Sequence, residues 1–198
     1  MEFNLTKVTR DTRKLNDIAS VIYDKAWLKN AENFDLYYMY RGLEEKDGLR
    51  YDITITPAKM LGQEFVKTKG HYHAGAWQEA YIVLNGKAIY LMQKIGKDGN
   101  IEDVYAVKAI AGNVVIIPPF YGHVTINPSK TEELKMANWV SKDCKSDYSL
   151  FEKQNGACYF YLDNDVWQKN LNYQNTPELR FESPDKLLPE DLSFLKNN

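Results

Sequence analysis

The stretch TKGHYHAGAWQEAY, from Thr68 to Tyr81, decides both the fold class and the kind of site. It holds His71 and His73, two of the three histidines of the chain, and Glu79 follows a short way downstream. Side chains at positions i and i+2 of a β-strand point to the same face, so an extended segment directs both imidazoles the same way. On an exposed strand such a pair carries no function, whereas inside a barrel it is typical of a metal site.

The third histidine, His123, lies in IIPPFYGHVTIN, where one predicted strand ends at Pro118 and Pro119 and the next begins at His123. Glu79 and Tyr81 begin a strand that we expect to run beside the histidine strand and to place both side chains on its inner face. Every histidine then joins one set with Glu79, the only carboxylate expected near it. Three imidazoles and one carboxylate suit a divalent first-row metal and leave positions open for water or substrate.

Short β-branched and aromatic segments separated by Gly, Asn, Asp and Pro predict an all-β fold. Many such strands at regular spacing are typical of an antiparallel sandwich or barrel. The predicted strands cover residues 34–40, 50–57, 79–86, 87–95, 101–109, 113–119, 123–128 and 134–140.

A single helical stretch is predicted ahead of the strands. Apolar residues between Leu15 and Ala26 recur at spacings of three and four, and a break near Tyr23 is the alternative. The C-terminal tail contains prolines and one predicted helical turn, and we expect it to pack on the outside of the barrel. The domain prediction is one unit over residues 1–198, with an N-terminal extension (1–33), a barrel (about 34–162) and a C-terminal extension (163–198).

Composition excludes several classes of function. With 198 residues the chain suits one domain, and its net charge of −2 provides no basic surface for nucleic acid. No apolar run approaches the ~20 residues that span a bilayer, and the N-terminus lacks the apolar core of a secretion signal. Cys144 and Cys158 have no C-x-x-C spacing, which favours free thiols and a cytoplasmic location.

Two segments resemble the sequence motifs of the cupin superfamily. HYHAGAWQEAYIVLNG reads H-x-H, five residues, Glu79, and GNVVIIPPFYGHVTIN contains Gly112, Pro118, His123 and Asn127 in order. The superfamily fold is a double-stranded β-helix, a jelly-roll-like barrel with a His, His, Glu, His metal site. The resemblance therefore implies this barrel with an N-terminal helical extension.

Within that superfamily the chain resembles the cupin-type glucose-6-phosphate isomerases, best known from archaea. They carry T-K-G-H-x-H ahead of Glu-x-Tyr, and P-P-x-x-x-H in the second motif; KLNDIASVIYDKAW, DLYYMY and DYSLFEKQNG agree as well. The likeness covers roughly residues 13–160. The chain departs from the family pattern in two places. The loop between His73 and Glu79 is one residue shorter, and Trp139 stands in place of a tyrosine, which implies an altered hold on the substrate.

The resemblance implies a metal-dependent enzyme that interconverts glucose 6-phosphate and fructose 6-phosphate. It implies one divalent metal per chain, with Fe(II) favoured and Mn(II), Ni(II) or Zn(II) as alternatives. A proton-transfer route makes Glu79 the base, whereas a hydride shift between C1 and C2 leaves it mainly a ligand, and sequence does not choose. The implied residues are the metal ligands His71, His73, Glu79 and His123, the catalytic pair Glu79 and Tyr81, and the substrate-binding set Thr68, Gly70, Thr54, Tyr37 and Tyr148, with Lys69 left out.

Two rival classes stay open at this point. A cupin dioxygenase would use similar ligands with an aromatic pocket, for which Trp77 and Trp139 are candidates, although Thr68 and the tyrosine hydroxyls speak against it. A non-catalytic sugar-binding cupin would usually lack a ligand, and none is missing here. By analogy we expect a homodimer, a sugar-phosphate substrate, and neither nucleic acid nor membrane as a partner.

Overall fold

The computed structural model describes residues 3–196 and confirms the all-β fold. All eight predicted strands are present, most of them within two residues of the predicted bounds. The strands are, in chain order, β1 (Asp11–Lys14), β2 (Asp35–Lys46), β3 (Leu49–Thr56), β4 (Met60–Leu61), β5 (Glu64–Phe65), β6 (Tyr72–His73), β7 (Glu79–Asn85), β8 (Lys87–Ile95), β9 (Ile101–Ile110), β10 (Val114–Ile117), β11 (Tyr121–Ile126), β12 (Leu134–Ser141), β13 (Ser146–Asp147), β14 (Tyr159–Leu162), β15 (Val166–Lys169) and β16 (Arg180–Glu182).

Two main sheets enclose the barrel. One has six strands in the order β1-β2-β3-β12-β7-β10, and the other has four in the order β11-β8-β9-β16. Neighbours are antiparallel apart from β16, which runs parallel to β9. A smaller sheet, β15-β14-β5-β4, and the pair β13-β6 complete the described strands. Non-sequential neighbours such as β12 between β3 and β7 are what a jelly-roll-like barrel requires.

The central strand β8 shows why these strands read as nearly continuous apolar runs. Tyr90 and Met92 point into the barrel, where they join a buried cluster with residues of the six-stranded sheet. Ile89 and Leu91 point outward and are also buried, because the N-terminal helices and the small sheet cover that face. Burial on both faces removes the alternation that a half-exposed strand would have.

The outer face of the six-stranded sheet is apolar and is covered by the two terminal segments of the chain. Trp139 packs there against Tyr51, with 5.0 Å between ring centroids, and is 9% exposed. The expectation that Trp139 alters the hold on a substrate is therefore wrong, because its side chain points away from the barrel interior. The covering side chains are Phe3, Leu5, Val8, Leu188, Leu192, Phe194 and the fully buried Leu195.

The N-terminal segment forms two short helices, which confirms the alternative prediction of a break near Tyr23. A 3-10 helix spans Leu15–Val21, and α1 spans Lys25–Leu28. Asp24 caps the N-terminus of α1, where its carboxylate accepts a hydrogen bond from the Trp27 backbone N–H at 2.9 Å. The remaining helices are α2 (Ser149–Lys153) and 3-10 turns at Leu5–Lys7, Asp163–Asp165 and Ser193–Leu195, the last being the predicted terminal turn.

Both extensions take part in the sheets. β1 lies in the segment assigned to the N-terminal extension and forms the edge of the six-stranded sheet. β16 extends the four-stranded sheet, and Asp185 forms backbone hydrogen bonds with Val114 of β10, so the C-terminal segment links the edges of the two sheets. The division of the chain at 33 and 162 stays a prediction. Among residues 3–196, no helix is long and apolar enough to cross a membrane.

Candidate active site

The four predicted metal ligands converge inside the barrel. One ligand atom from each of His71, His73, Glu79 and His123 lies within 4.8 Å of all the others. This span is slightly more than twice the metal–ligand distance of about 2.1 Å, so a single ion between them can reach all four. Glu79, His73 and His123 are at most 7% exposed, which places the set away from bulk water.

Backbone pairing fixes the histidine segment against β11. The His71 N–H donates to the His123 carbonyl at 3.2 Å, and the His123 N–H donates back to the His71 carbonyl at 3.0 Å. Gly70 precedes this pair with a φ of +78°, and a Cβ there would lie 2.5 Å from Val124. Glycine is therefore required at the position where the chain turns toward the metal ligands.

Glu79 approaches from the opposite side of the barrel. The expectation that its strand runs beside the histidine strand is wrong, because β7 pairs with β12 and β10, and β6 pairs with β13. The carboxylate nevertheless reaches the histidines: Glu79 Oε2 lies 3.3 Å from His73 Nε2 and 3.4 Å from His123 Nε2. The ligands thus come from both walls of the barrel.

The hydrogen bond of the His73 ring favours metal coordination through its Nε2 atom. His73 Nδ1 lies 3.0 Å from the Trp77 carbonyl, a contact that makes Nδ1 the donor and leaves Nε2 as the free acceptor. Trp77 therefore positions a ligand through its backbone. On His123, Nε2 also lies 3.4 Å from the Tyr81 hydroxyl, so Tyr81 is next to the ligand set.

One carboxylate oxygen of the ligand set has no hydrogen-bond donor among the described residues, and a bound cation would be a suitable partner for it. Glu79 Oε2 is buried and has no hydrogen bond within the described chain, although two imidazoles lie near it. Burial alone would raise the pKa of Glu79, but His123 and His73 outweigh it and lower that pKa well below its usual range. An ionised, buried and unbonded carboxylate among imidazoles fits a divalent metal.

Protonation of the imidazoles differs within the set. Burial lowers the pKa of His71 and of His123, which keeps both rings neutral and ready to coordinate. Burial also works to lower the pKa of His73, but Cys144 and Glu79 outweigh it and raise that pKa to about 10. In the metal-free protein His73 therefore holds a proton that a cation has to displace.

The predicted substrate-binding residues line one continuous cavity above the ligand set. Tyr37 accepts a hydrogen bond from the Lys69 N–H at 3.3 Å, and Thr68 Oγ1 accepts one from the Thr125 N–H at 3.0 Å. The Tyr148 ring lies 5.5 Å from that of His71. The predicted catalytic residue Tyr81 lines this cavity together with every residue of the predicted substrate-binding set: Tyr37, Thr54, Thr68, Gly70 and Tyr148.

Two cations near Tyr37 and Tyr148 complete this end of the cavity. Lys69, which the parity of its strand excluded, lines the cavity, forms an ion pair with Glu152 at 2.6 Å and lies over the Tyr148 ring. Arg13 was missed altogether, since the four residues of β1 have no apolar alternation to reveal a strand. Burial works to lower the pKa of Arg13, but Tyr37 and Tyr148 outweigh it and raise that pKa, and the buried Arg13 Nε has no hydrogen-bond partner among the described residues.

A second group of missed residues lines the cavity from β3 and β12. Arg50 and Asp52 precede Thr54 on the same face of β3, so the alternation that placed Thr54 inside could have found them. Asn138 lies on β12 between Asp52 and Tyr81. Glu79 is the only carboxylate of the ligand set, as expected, while Asp52 is 4% exposed and lines the same cavity outside that set.

Fold and site together define a cupin barrel with a candidate metal centre at the base of a cationic cavity. More particularly, the chain belongs to the glucose-6-phosphate isomerase family, because the family model described as "Glucose-6-phosphate isomerase (GPI)" matches residues 12–178. This match reaches further toward the C-terminus than the motif likeness, which ended near residue 160. The expectation of an enzyme, in preference to a sugar-binding protein, is confirmed.

Individual relatives agree with the family match. The glucose-6-phosphate isomerase of Pyrococcus furiosus is 31% identical over 175 residues, covering 81% of this chain and 89% of the relative. That of Pyrococcus abyssi is 35% identical over 148 residues, covering 72% and 75%. Among solved structures, the Cnp3 cupin domain of Schizosaccharomyces pombe aligns over 66% of this chain and 79% of that one, at 10% identity and a TM-score of 0.39, too distant a likeness to support an argument.

Proposed function

We propose that this protein is a metal-dependent aldose–ketose isomerase that interconverts glucose 6-phosphate and fructose 6-phosphate. The observation that carries the proposal is the convergence of His71, His73, Glu79 and His123 below a cavity lined by hydroxyls and cations. A dioxygenase would need an apolar aromatic pocket, yet neither Trp77 nor Trp139 lines this cavity. A sugar phosphate matches the cavity better, because its dianionic end and its hydroxyls both find polar partners.

His71, His73, Glu79 and His123 would hold one divalent metal, and we propose Fe(II) as the native ion. Three imidazoles and a carboxylate suit Fe(II), while Mn(II), Ni(II) and Zn(II) are compatible with the same donors. When bound, such an ion supplies Lewis-acid stabilisation of negative charge on the oxygens at C1 and C2. The unbonded Glu79 Oε2 supports this assignment independently of the family.

The phosphate of the substrate would lie at the end of the cavity formed by Tyr37, Thr68, Gly70 and Tyr148, with Thr54 beside them. Hydroxyls and the backbone N–H of Gly70 donate hydrogen bonds to phosphate oxygens, and the absent Cβ allows close approach. Arg13 and Lys69, which were absent from the sequence prediction, supply two positive charges next to these donors. This orientation directs C1 and C2 toward the metal ligands.

Hydrogen transfer between C2 and C1 can follow either of two routes on these residues. In the proton route Glu79 takes the proton from C2 of the aldose, the C–H electron pair forms the C1–C2 double bond, and the carbonyl pair moves onto O1. Return of the proton to C1, with the C2 hydroxyl proton moving to O1, gives the ketose. In the hydride route hydrogen passes directly between the carbons and Glu79 remains a ligand. In both routes Tyr81 would hold a substrate hydroxyl by a hydrogen bond.

Two further properties belong to the same proposal. We propose that two copies associate as a homodimer, since β1 leaves an edge of the six-stranded sheet open to pairing. A cytoplasmic location fits the free thiols of Cys144 and Cys158, which suit a reducing compartment.

A coupled assay tests the activity directly. Purified protein is treated with a chelator, dialysed, and assayed for glucose 6-phosphate formation from fructose 6-phosphate before and after addition of Fe(II), Mn(II), Ni(II) or Zn(II). We expect the chelator to abolish turnover and the metal to restore it. Turnover that survives complete metal removal contradicts the metal mechanism, and no turnover with any of the four metals contradicts the isomerase. Mannose 6-phosphate in a parallel assay tests whether the C2 epimer is also accepted.

A further inference from the structure

Arg50 and Asn138 lie on the cavity side of the six-stranded sheet, in register with the candidate catalytic residues. Arg50 is opposite Val140, which is opposite Glu79. With strands about 4.8 Å apart, the Cα atoms of Arg50 and Glu79 are roughly 10 Å apart, within reach of one substrate. Asn138 is the direct neighbour of Tyr81 on the adjacent strand. Both side chains line the cavity.

Asp52 fixes Arg50 without consuming its terminal donors. The Asp52 carboxylate accepts hydrogen bonds from the Gly42 N–H at 2.8 Å and from Arg50 Nε at 3.0 Å, and Arg41 lies 3.6 Å away. A carboxylate with these partners holds the Arg50 guanidinium in place. The two terminal nitrogens of Arg50 make no hydrogen bond within residues 3–196, so their N–H groups remain available in the cavity.

Asn138 supplies a second polar group on the same wall. It is 5% exposed, and the amide keeps its accessible surface inside the cavity. An amide in this position can bond water in the empty cavity and a ligand oxygen in the filled one. Because the amide lines the cavity, a substrate oxygen is a suitable partner.

The charges in the cavity point the same way. Arg13 and Lys69 lie beside Tyr37 and Tyr148, where the substrate phosphate is proposed to bind. Arg50 and Arg41 lie at the other side, where Asp52 contacts both of them and Asp11 also contacts Arg41 at 3.2 Å. The terminal N–H groups of Arg50 stay free beside these ion pairs in the described chain, and they suit a negative charge on the ligand, remote from the phosphate.

We propose that Arg50 and Asn138 form an oxyanion subsite for the C1–C2 end of the substrate, with Asp52 as its positioning residue; the role rests on the proposed function. When C2 loses its hydrogen to Glu79, the carbonyl electron pair moves onto O1, and the Arg50 N–H groups stabilise that charge. In a hydride shift hydrogen moves with its electron pair from C2 to C1, the C1 carbonyl pair moves onto O1, and O1 takes the proton that the C2 hydroxyl loses; the Arg50 N–H groups stabilise the charge that develops on O1 in the same way. Substrates and inhibitors with an anionic C1 bind this subsite more tightly than neutral ones.

A matched pair of probes isolates the subsite from the phosphate site. The aldonic acid 6-phosphate carries a carboxylate at C1, whereas the alditol 6-phosphate carries a neutral hydroxyl there. We expect Arg50→Met to weaken binding of the aldonic acid by roughly 10–100-fold, the loss of one charge-assisted hydrogen bond, and to leave the alditol within about twofold. Inhibition by inorganic phosphate stays unchanged, and kcat falls more than KM rises.

Control variants separate this outcome from general damage. Arg50→Lys retains the charge and restores part of the aldonic-acid affinity, Asn138→Ala weakens it less than Arg50→Met, and Asp52→Asn lowers kcat with KM nearly unchanged. Arg10→Met, at an exposed arginine that lies over the Tyr38 ring outside the cavity, has no effect.

Two results overturn the inference alone: an active wild-type enzyme whose Arg50→Met and Asn138→Ala variants bind both probes normally, or an Arg50→Met variant that instead loses phosphate binding. Wild-type protein that neither isomerises fructose 6-phosphate nor binds the aldonic acid overturns the proposed function itself. If Arg50→Met fails to fold, Arg50→Lys and Asn138→Ala decide by the same criteria.

Discussion

The two faces of the six-stranded sheet have the same backbone and opposite chemistry. On the inner face Thr54, Asn138, Glu79 and Tyr81 project into the cavity. On the outer face the intervening residues, among them Trp139, are apolar and lie beneath the terminal segments. Since successive side chains of a strand alternate between faces, each strand contributes to both functions at once.

This difference teaches where activity and stability reside. The inner face buries a carboxylate whose close partners are imidazoles and whose Oε2 makes no well-oriented hydrogen bond among the described residues, and this costs stability unless a ligand arrives. The outer face contributes hydrophobic burial, with Trp139 and Leu195 at most 9% exposed. Substitutions on the inner face should therefore remove activity while the fold persists, and substitutions on the outer face should do the reverse.

The largest expected effect lies at the ligand set on the inner side. We expect Glu79→Gln to lower kcat/KM by roughly 10²–10⁴-fold, because both routes lose either a base or an anionic ligand. His71→Ala loses activity together with bound metal, which elemental analysis of the purified variant measures. The matched control is Glu133→Gln, whose exposed side chain lies in the turn before β12 and has no part in the cavity. Normal turnover and metal content in His71→Ala would refute the proposed ligand set as a whole.

An intermediate effect is expected at Trp139 on the outer face. Trp139→Ala removes a large side chain that is packed against Tyr51 and should lower the free energy of unfolding by about 3 kcal/mol, with Trp139→Phe losing less. Chemical denaturation measures the change, and kcat measured well below the transition should equal that of the wild type. Leu171→Ala, at a side chain 87% exposed, is the control without effect on stability. A loss of kcat in folded Trp139→Ala would contradict the separation of the faces.

The sequence was most informative where the functional residues lie close together in the chain. His71, His73 and Glu79 occur within one short stretch, and His123 follows a Pro/Gly turn, so spacing and parity were enough to group them. Alternation likewise placed Thr54 inside. The same alternation places Arg50 and Asp52 inside, because they share the face of β3 that carries Thr54.

Other features depend on pairings that no local pattern encodes. Asn138 faces the cavity beside Tyr81 only because β12 inserts between β3 and β7, a register set by contacts far apart in the chain. Arg13 enters the cavity because β1 pairs with β2, and four polar residues carry no strand signal. Trp139 was misplaced for the same reason, since a family position gives a residue type but not the face on which it lies.

The smallest effect that we predict belongs again to the inner face and concerns pH. The pKa of His73 is raised to about 10 in the metal-free protein, while His71 and His123 are neutral because burial lowers their pKa. Below pH 10 a metal must displace the His73 proton, so binding of Mn(II) should release about one proton at neutral pH. The apparent affinity should then rise by about tenfold, or 1.4 kcal/mol, for each pH unit between roughly 7 and 9.

Calorimetry in buffers of different ionisation enthalpy counts the protons released. Trp139→Phe, on the outer face, should release the same number as the wild type, whereas Glu79→Gln should release fewer, because the carboxylate that holds the proton on His73 is gone. Release of no proton by the wild-type protein at pH 7.5 would mean that His73 is already neutral, and that the inner face is prepared for the metal before the metal arrives.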